Sequence, residues 1–562
     1  MEKKELSTEM RVLLAFAISF LILILSQPLL VRRSATPPPK PLSESSPTQG
    51  QSQSSAEKQV VTPSALPASP KQGESEEEIT IEGDLYRVVF STRGAVVKSW
   101  TLQRYRDQQN NPLELVNPDA TQFGNPLSLW VAEEPLRQEI NNALYVPSAT
   151  GHLSAPVTLT FEYSSGQTAV RKQIAFTPDS YVVEVTTEVA SNGKAASHAL
   201  AWRGGFGDMH DAAAQGYQLD VFYRAEKVIR LNTGSLKSEE SVSSGPFPFA
   251  GIEDRFFCVA FLPPEGMLRV TSFRHEILVP EQKNRLSLGV AVGSGDAPQN
   301  YFRLFVGPKE IDVLSQADPR LAELVDYGWF AFVAKPMFLA LRWIHDHIVT
   351  NYGWSIVLLT VAINFLLFPL KIKSLRSAMK MQKLQPQLKA IQDKYKHLKM
   401  KDPKKQEMSR ETMELYKKHG VNPIGGCLPM LLQIPFLYGF YKVLIVSIEM
   451  RQAPWIWWVR DLSAPESIPI KVLPLLMCGT QFILQKMSPA TTPDPRQQRI
   501  MMLMPLMFLF FFWNLSSGLV LYWLTGNVVG IAQQWYINRT EMKHLIEERK
   551  KTASRKKVLA KK

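Results

Sequence analysis

Residues 421–451, VNPIGGCLPMLLQIPFLYGFYKVLIVSIEMR, decide the fold class. The stretch opens on a turn signal, Asn422-Pro423 followed by Gly425-Gly426. About twenty mostly apolar residues follow, enough for a helix to cross roughly 30 Å of hydrocarbon. Pro429 and Pro435 interrupt the helical hydrogen-bond ladder, and Gln433 lies between them. A membrane tolerates such a helix where its freed groups face protein or water. A basic segment lies upstream and Trp455, Trp457 and Trp458 lie downstream. The stretch therefore reads as an inner wall of a helical bundle.

Composition agrees with that class. The chain has 562 residues, is 45% hydrophobic and contains several apolar runs of membrane length, which predicts a polytopic membrane protein with a soluble domain. Its net charge of +13 is unevenly placed. Residues 79–330 carry 22 Lys/Arg against 29 Asp/Glu, residues 371–424 carry 15 against 5, and residues 539–562 carry 10 against 3. The basic excess thus sits in short segments beside apolar runs, where Lys and Arg hold a segment in the cytoplasm. Among nucleic-acid contacts only one by the tail stays open, with ribosomal RNA its natural target. Cys258, Cys427 and Cys478 form neither a disulfide framework nor a zinc spacing. No GxxxxGK[ST] and no HExxH is present, so neither a cofactor, a metal nor covalent catalysis is expected.

Working outward, residues 1–33 are expected to form an N-terminal transmembrane anchor, its apolar run being long for a cleaved signal peptide. Residues 34–78, rich in Ser and Pro, read as a disordered periplasmic linker. Residues 79–318 alternate in β-branched and aromatic segments such as YRVVFS, VTLTFEYS and YVVEVTTEVA, which predicts an all-β sandwich domain. In it His152, His198, His210 and His275 are scattered, and WRGGFGD at 202–208 reads as a loop. Residues 319–349 read as an interfacial amphipathic helix. Residues 350–538 form a five-span core, with spans at 352–370, 421–451, 470–487, 500–513 and 519–537. Within it, 374–420 is a basic helical hairpin whose first arm carries Leu384, Leu388, Ile391, Tyr395 and Leu398 at a/d spacing. Residues 539–562 are a basic cytoplasmic tail. Six spans place both ends in the cytoplasm.

Thr360 and Asn364, four apart, share one face, and Gln433, Gln481 and Asn527 lie inside other spans. Two readings stay open: interhelical hydrogen-bond glue, or the lining of a water-filled groove. The hairpin likewise reads either as a solvated pair held by charge or as a receiving platform, with Met379, Met381, Met408 and Met413 as adaptable contacts.

The ordered motifs NYGWSIVLLT, VNPIGGCLPMLLQIPF, EMRQAP, QKMSPATTPDPRQQRIM and SSGLVLYWLTGN closely resemble the Oxa/Alb/YidC insertase family, in the form found in bacteria with two membranes. The match is specific over 327–539; the β domain resembles that family's periplasmic β-supersandwich by position and texture. The resemblance implies an inner-membrane insertase and chaperone acting alone or with the Sec translocon. Its implied partners are nascent membrane proteins, the translocon's accessory subunits, membrane lipids and, through the tail, the ribosome. It implies a hydrophilic groove open to cytoplasm and lipid and closed outside, lined here by Thr360, Asn364, Gln433, Gln481, Tyr522, Trp523 and Asn527. Such a groove shortens the passage of a charged group, which costs roughly 2.5–3.5 kcal/mol at the centre of a membrane helix. Many members carry a groove arginine where this chain has Asn364. Lys442 is the candidate replacement, although its nine-residue distance from Gln433 sets it about half a turn out of phase. Two alternatives remain: a transporter or channel, for which no intramembrane carboxylate or inverted repeat is visible, and an envelope enzyme whose β domain acts on sugar.

Overall fold

The computed structural model describes residues 69–208, 218–236, 238–264, 267–277, 285–295, 298–395, 404–420, 428–489 and 495–559, with 119–120, 285, 404–405, 428–432, 495–500 and 541–559 as backbone alone. The expected anchor, most of the linker and the Asn422–Gly426 turn lie outside the described residues. The chain divides into two compact units between Leu324 and Val325.

The first unit is β-rich. Alternation carries directly into its strands: YRVVFS forms Tyr86–Ser91, VTLTFEYS forms Val157–Ser164, and Val182–Ser191 follows from YVVEVTTEVA. A five-stranded sheet runs in the order Pro112–Glu114, Val96–Arg106, Tyr86–Ser91, Glu78–Glu82 and Gly151–Ser154. A ten-stranded sheet has Gln299–Pro308 between Phe257–Leu262 and Val182–Ser191, antiparallel to both. A second five-stranded sheet orders Glu240–Gly245, Leu268–Ile277, Arg285–Gly293, Ala199–Trp202 and Ser128–Trp130. Two short helices, α1 (Glu134–Asn142) and α2 (Ile311–Ala317), and 3-10 turns at Pro118–Phe123 and Pro319–Leu324 accompany the sheets.

Its core joins all three sheets through aromatic rings. Trp100 of the first sheet lies 6.3 Å from Phe176 of the second and 6.2 Å from Trp202 of the third, all three buried. Offset and tilted ring pairs of this kind add specificity beyond their buried area. Beside them, Lys172 is 1% exposed and its ammonium donates to the carbonyls of Gly94, Ala95 and Leu127 at 2.8–3.0 Å. Ala95 and Leu127 hold φ values of 49° and 63°, an unfavourable region for residues with a Cβ. The lysine thus ties down two strained turns.

The second unit is helical. Its elements are α3 (Ala331–His347), α4 (Tyr352–Leu366), α5 (Phe368–Lys383), α6 (Gln385–Lys394), α7 (Lys404–Lys418), α8 (Leu428–Val446), α9 (Val472–Met487), α10 (Pro495–Phe512) and α11 (Ser517–Leu559). Among the described residues no single helix is long and apolar enough to cross a membrane; α4 and α5 meet that test together, bent by 57°. The expected single span 352–370 therefore breaks at Leu367. Pro369, in the first turn of α5, has no N–H for the ladder and its ring crowds the preceding turn. Helix α11 packs along α4 and α9, α8 along α3, and α10 along α9. Helix α3 buries Ala334, Met337, Phe338, Leu341 and Ile344 while Phe332, Leu339 and Trp343 stay exposed. Its exposed side thus mixes apolar residues with Lys335, Asp346 and His347.

Candidate functional site

Two groups of polar residues stand out inside the helical unit. The first gathers where α4, α5, α8 and α11 meet. On α4, the Thr360 hydroxyl donates to the Ile356 carbonyl at 2.7 Å and the Asn364 amide nitrogen donates to the Thr360 carbonyl at 2.8 Å. Both side chains are buried and satisfy carbonyls one turn back. The Asn364 side-chain oxygen accepts from the ammonium of Lys371 at 2.7 Å. Gln533 of α11 closes the set: its oxygen accepts from the same ammonium at 3.2 Å, and its nitrogen donates to the Asn364 carbonyl at 3.1 Å. A narrow cavity opens beside this ring, lined by Ile363, Asn364, Leu367, Leu370, Lys371, Gln433 and Tyr522. The buried Tyr522 ring stacks on Phe440 at 4.5 Å, which fixes that wall.

The second group joins α9 to α11. The Trp523 indole donates to the Gln481 oxygen at 3.2 Å, and the Asn527 amide donates to the Met477 carbonyl and the Thr480 hydroxyl, both at 3.3 Å. Of the seven residues expected to line one groove, Asn364, Gln433 and Tyr522 line the cavity. Gln481, Trp523 and Asn527 bond helix to helix, and Thr360 lies fully buried against its own turn. Bonds between helices and a polar cavity are both present, at different places.

The cation at the cavity is Lys371, which sequence reasoning treated as a topology signal only. Seven residues would be two turns of a continuous helix, but the 57° bend at Leu367 puts Asn364 and Lys371 on different helices, so their meeting follows from the fold and not from their spacing. Lys442, the residue expected to replace a groove arginine, is not among the cavity's lining residues. It is 8% exposed, with its ammonium 4.0 Å from the Asp326 carboxylate.

Close contacts join the start of α4 to the 454–455 segment. The Asn351 side chain donates to the Pro454 and Trp455 carbonyls at 3.1 and 3.4 Å. The Trp455 ring lies so close to Gly353 that a Cβ there would fall 2.3 Å from its Cγ. The Glu466 carboxylate accepts from the Trp458 indole at 2.5 Å and from the Leu473 N–H at 3.0 Å, capping α9.

In the hairpin, Met381 is 8% exposed and packs with Leu384 and Leu388 against Leu415 and Tyr416. It belongs to the hairpin's own core, because the a/d stripe continues back onto it, and is not a free contact. Met379 and Met408 are half-buried and Met413 is exposed. Glu411 pairs with Lys394 at 2.6 Å and accepts from Tyr395 at 2.9 Å, clamping the arms. Among the described residues no group of His, Cys, Asp and Glu is placed to hold a metal ion.

The family model described as 60Kd inner membrane protein matches residues 343–544, and that of the YidC periplasmic domain matches residues 78–340. The protein "Membrane protein insertase YidC" of Syntrophus aciditrophicus (strain SB) is 32% identical over 561 residues, covering 94% of this chain and 99% of that protein. The one of the same name from Pelobacter propionicus is 35% identical over 506 residues, covering 85% of this chain and 90% of its own. Among solved structures, "Active YidC insertase crystal structure with the first transmembrane domain resolved" matches at a TM-score of 0.36 and 20% identity, over 83% of this chain and 94% of that one.

Proposed function

This chain belongs to the YidC family of membrane protein insertases, and on that premise we propose that its substrates enter through the cavity between α4, α5, α8 and α11. Family membership makes it an insertase and sets aside the transporter and envelope-enzyme alternatives. In our reading the polar cavity is the deep end of a groove that opens to the cytoplasm and to lipid. A nascent segment places its polar residues among Asn364, Gln433, Lys371 and Tyr522 while its apolar face slides into hydrocarbon. The observation that carries this is the placement of an amide pair and an ammonium beside a cavity within a bundle of largely apolar helices. Polar groups inside a membrane bundle otherwise face costs that only pairing or water relieves.

The proposed topology follows the charge pattern: hairpin and tail inside, β unit in the periplasm, and α3 along the outer interface with Phe332, Leu339 and Trp343 towards lipid. The contacts at Asn351, Gly353 and Trp455 would then form the outer seal. The proposed partners are nascent membrane proteins, membrane lipids, the Sec translocon with its accessory subunits, and the ribosome through the basic tail.

The test pairs two probes at one position. Asn364→Cys should react with a small water-soluble alkylating reagent in membranes, and a photocrosslinker at 364 should capture stalled nascent chains. A folded protein that does neither rules out the groove.

A further inference from the structure

We propose that the turn at residues 455–459 is a membrane peg: the Trp457 ring lies in the phospholipid headgroup layer, and the exposed Arg460, three residues on, takes a lipid phosphate. This rests on the topology reading above, which puts the turn at the outer surface. The three tryptophans of the stretch have different roles. Trp455 packs against Gly353 and lies edge-on to Trp354 at 5.6 Å. Trp458 gives its indole N–H to the buried Glu466. Between them, Trp457 is exposed over 93% of its surface. Backbone hydrogen bonds hold the turn that presents it. The Trp455 N–H donates to the Val459 carbonyl at 3.0 Å, the Val459 N–H to the Ile456 carbonyl at 2.6 Å, and the Leu462 N–H to the Ala453 carbonyl at 3.1 Å. An indole held out on such a turn cannot fold back onto the protein, so its apolar area is left for another surface to cover.

Where the turn is tied says what covers it. The Asn351 side chain, which caps α4, donates to the Pro454 and Trp455 carbonyls. At the start of α11, the N–H and the hydroxyl of Ser517 both donate to the Ala464 carbonyl at 2.8 Å, and the Gly518 N–H donates to the Leu462 carbonyl at 2.9 Å. The turn thus rides on the ends of two helices of the bundle. Helix α4 belongs to the bent pair that meets the test for crossing a membrane. Helix α11 carries an exposed aromatic pair of its own, Trp535 and Tyr536, with the Arg539 guanidinium 5.3 Å over the Trp535 ring. Trp535 comes eighteen residues after Ser517. At 1.5 Å per residue the two aromatic levels stand about 27 Å apart, close to the roughly 30 Å of a hydrocarbon core. Tryptophan and tyrosine concentrate at both boundaries of that layer, where an apolar ring and a polar N–H or O–H are each satisfied. Exposed Gln452 and Arg460 flank Trp457 in sequence, and that mixture suits the wet headgroup layer better than the dry centre of a protein interface.

The experiment uses the full-length protein in liposomes of phosphatidylethanolamine and phosphatidylglycerol. The difference in fluorescence between wild type and Trp457→Phe isolates this indole. Lipid brominated near the headgroup should quench that difference about twofold more than lipid brominated near the chain ends, as a boundary position requires. Quenching by aqueous iodide with none by either lipid would leave the ring in water or facing a protein partner, and would overturn the peg. Stronger quenching by the deep bromine would place the ring in hydrocarbon and overturn it equally. Arg460→Gln should weaken the shallow quenching, and an unchanged value would remove the arginine from the site. Trp457→Ala should leave thermal unfolding in detergent unchanged, because the ring is scarcely buried. A lowered melting temperature there would make the ring a prop of the fold instead. Quenching reads contact with lipid whichever side the turn lies on, whereas labelling of Trp457→Cys from outside intact cells reads the side. The peg and the topology can therefore fail separately.

Discussion

Lys172 and His275 show what one buried side chain is worth in the β unit. Lys172→Met leaves three carbonyls without their donor, and at about 1 kcal/mol or more for each unmet buried group the unit should lose roughly 3 kcal/mol. Urea unfolding followed by tryptophan fluorescence measures this, since Trp100 and Trp202 sit in the same core. An unchanged midpoint would mean that the turns at Ala95 and Leu127 hold themselves. His275 lies between the rings of Phe123 and Phe273, at 4.2 and 5.7 Å, with its Nε2 buried and unpartnered. Burial first, and the Arg203 guanidinium second, push its pKa down to about 4. The unfolded chain then binds a proton that the folded one refuses, so stability is full above about 6.5 and falls as pH drops towards 4. His275→Phe should flatten the loss of stability between pH 7.5 and 5. A variant with the wild-type slope would place the acid sensitivity elsewhere.

Among the elements, the hairpin and the α3–α4 corner make separable predictions. Met381 fills the hairpin core whereas Met413 is exposed. Met381→Ala should loosen α5–α7 by about 2 kcal/mol, visible as faster amide exchange across both arms, while Met413→Ala should leave exchange alone. If the hairpin receives substrates, Met413→Ala should still weaken crosslinks to nascent chains. Replacing residues 381–416 by a short linker should leave the rest of the helical unit folded but impair insertion, and full activity after that deletion would refute a receiving role. At the corner, Gly353 is required because the Trp455 ring occupies the space of a Cβ. Gly353→Ala must shift that ring and should cost about 1–3 kcal/mol in thermal unfolding. An unshifted melting temperature would show that the seal yields freely.

For the whole molecule, the charge pattern makes the plainest prediction. A hairpin segment with 15 basic against 5 acidic residues and a tail with 10 against 3 should stay inside, with the acidic β unit outside. A membrane-impermeant thiol reagent applied to intact cells should reach cysteines placed in the β unit or at Trp457, which is 93% exposed. It should not reach Lys394→Cys or Lys557→Cys, and labelling at Lys394→Cys would reverse the orientation.

Local pattern was enough for the class and much of the layout. Period-two alternation marks Tyr86–Ser91 and Val157–Ser164 residue for residue, because a strand that buries one face must alternate. Ordered motifs were enough for the family. Which strand lies beside which was not legible: Val182–Ser191 pairs with Gln299–Pro308 more than a hundred residues away, and no local signal encodes that partner. The site divides in the same way. The polar positions inside apolar runs could be read directly, but their sorting into cavity lining and helix glue depends on whether an acceptor waits on the neighbouring helix. Lys371 is the clearest case. Its charge beside an apolar run predicts a cytoplasmic end whichever way the side chain turns. Only the fold brings Gln533, 162 residues later, to its ammonium and so turns it inward to the cavity.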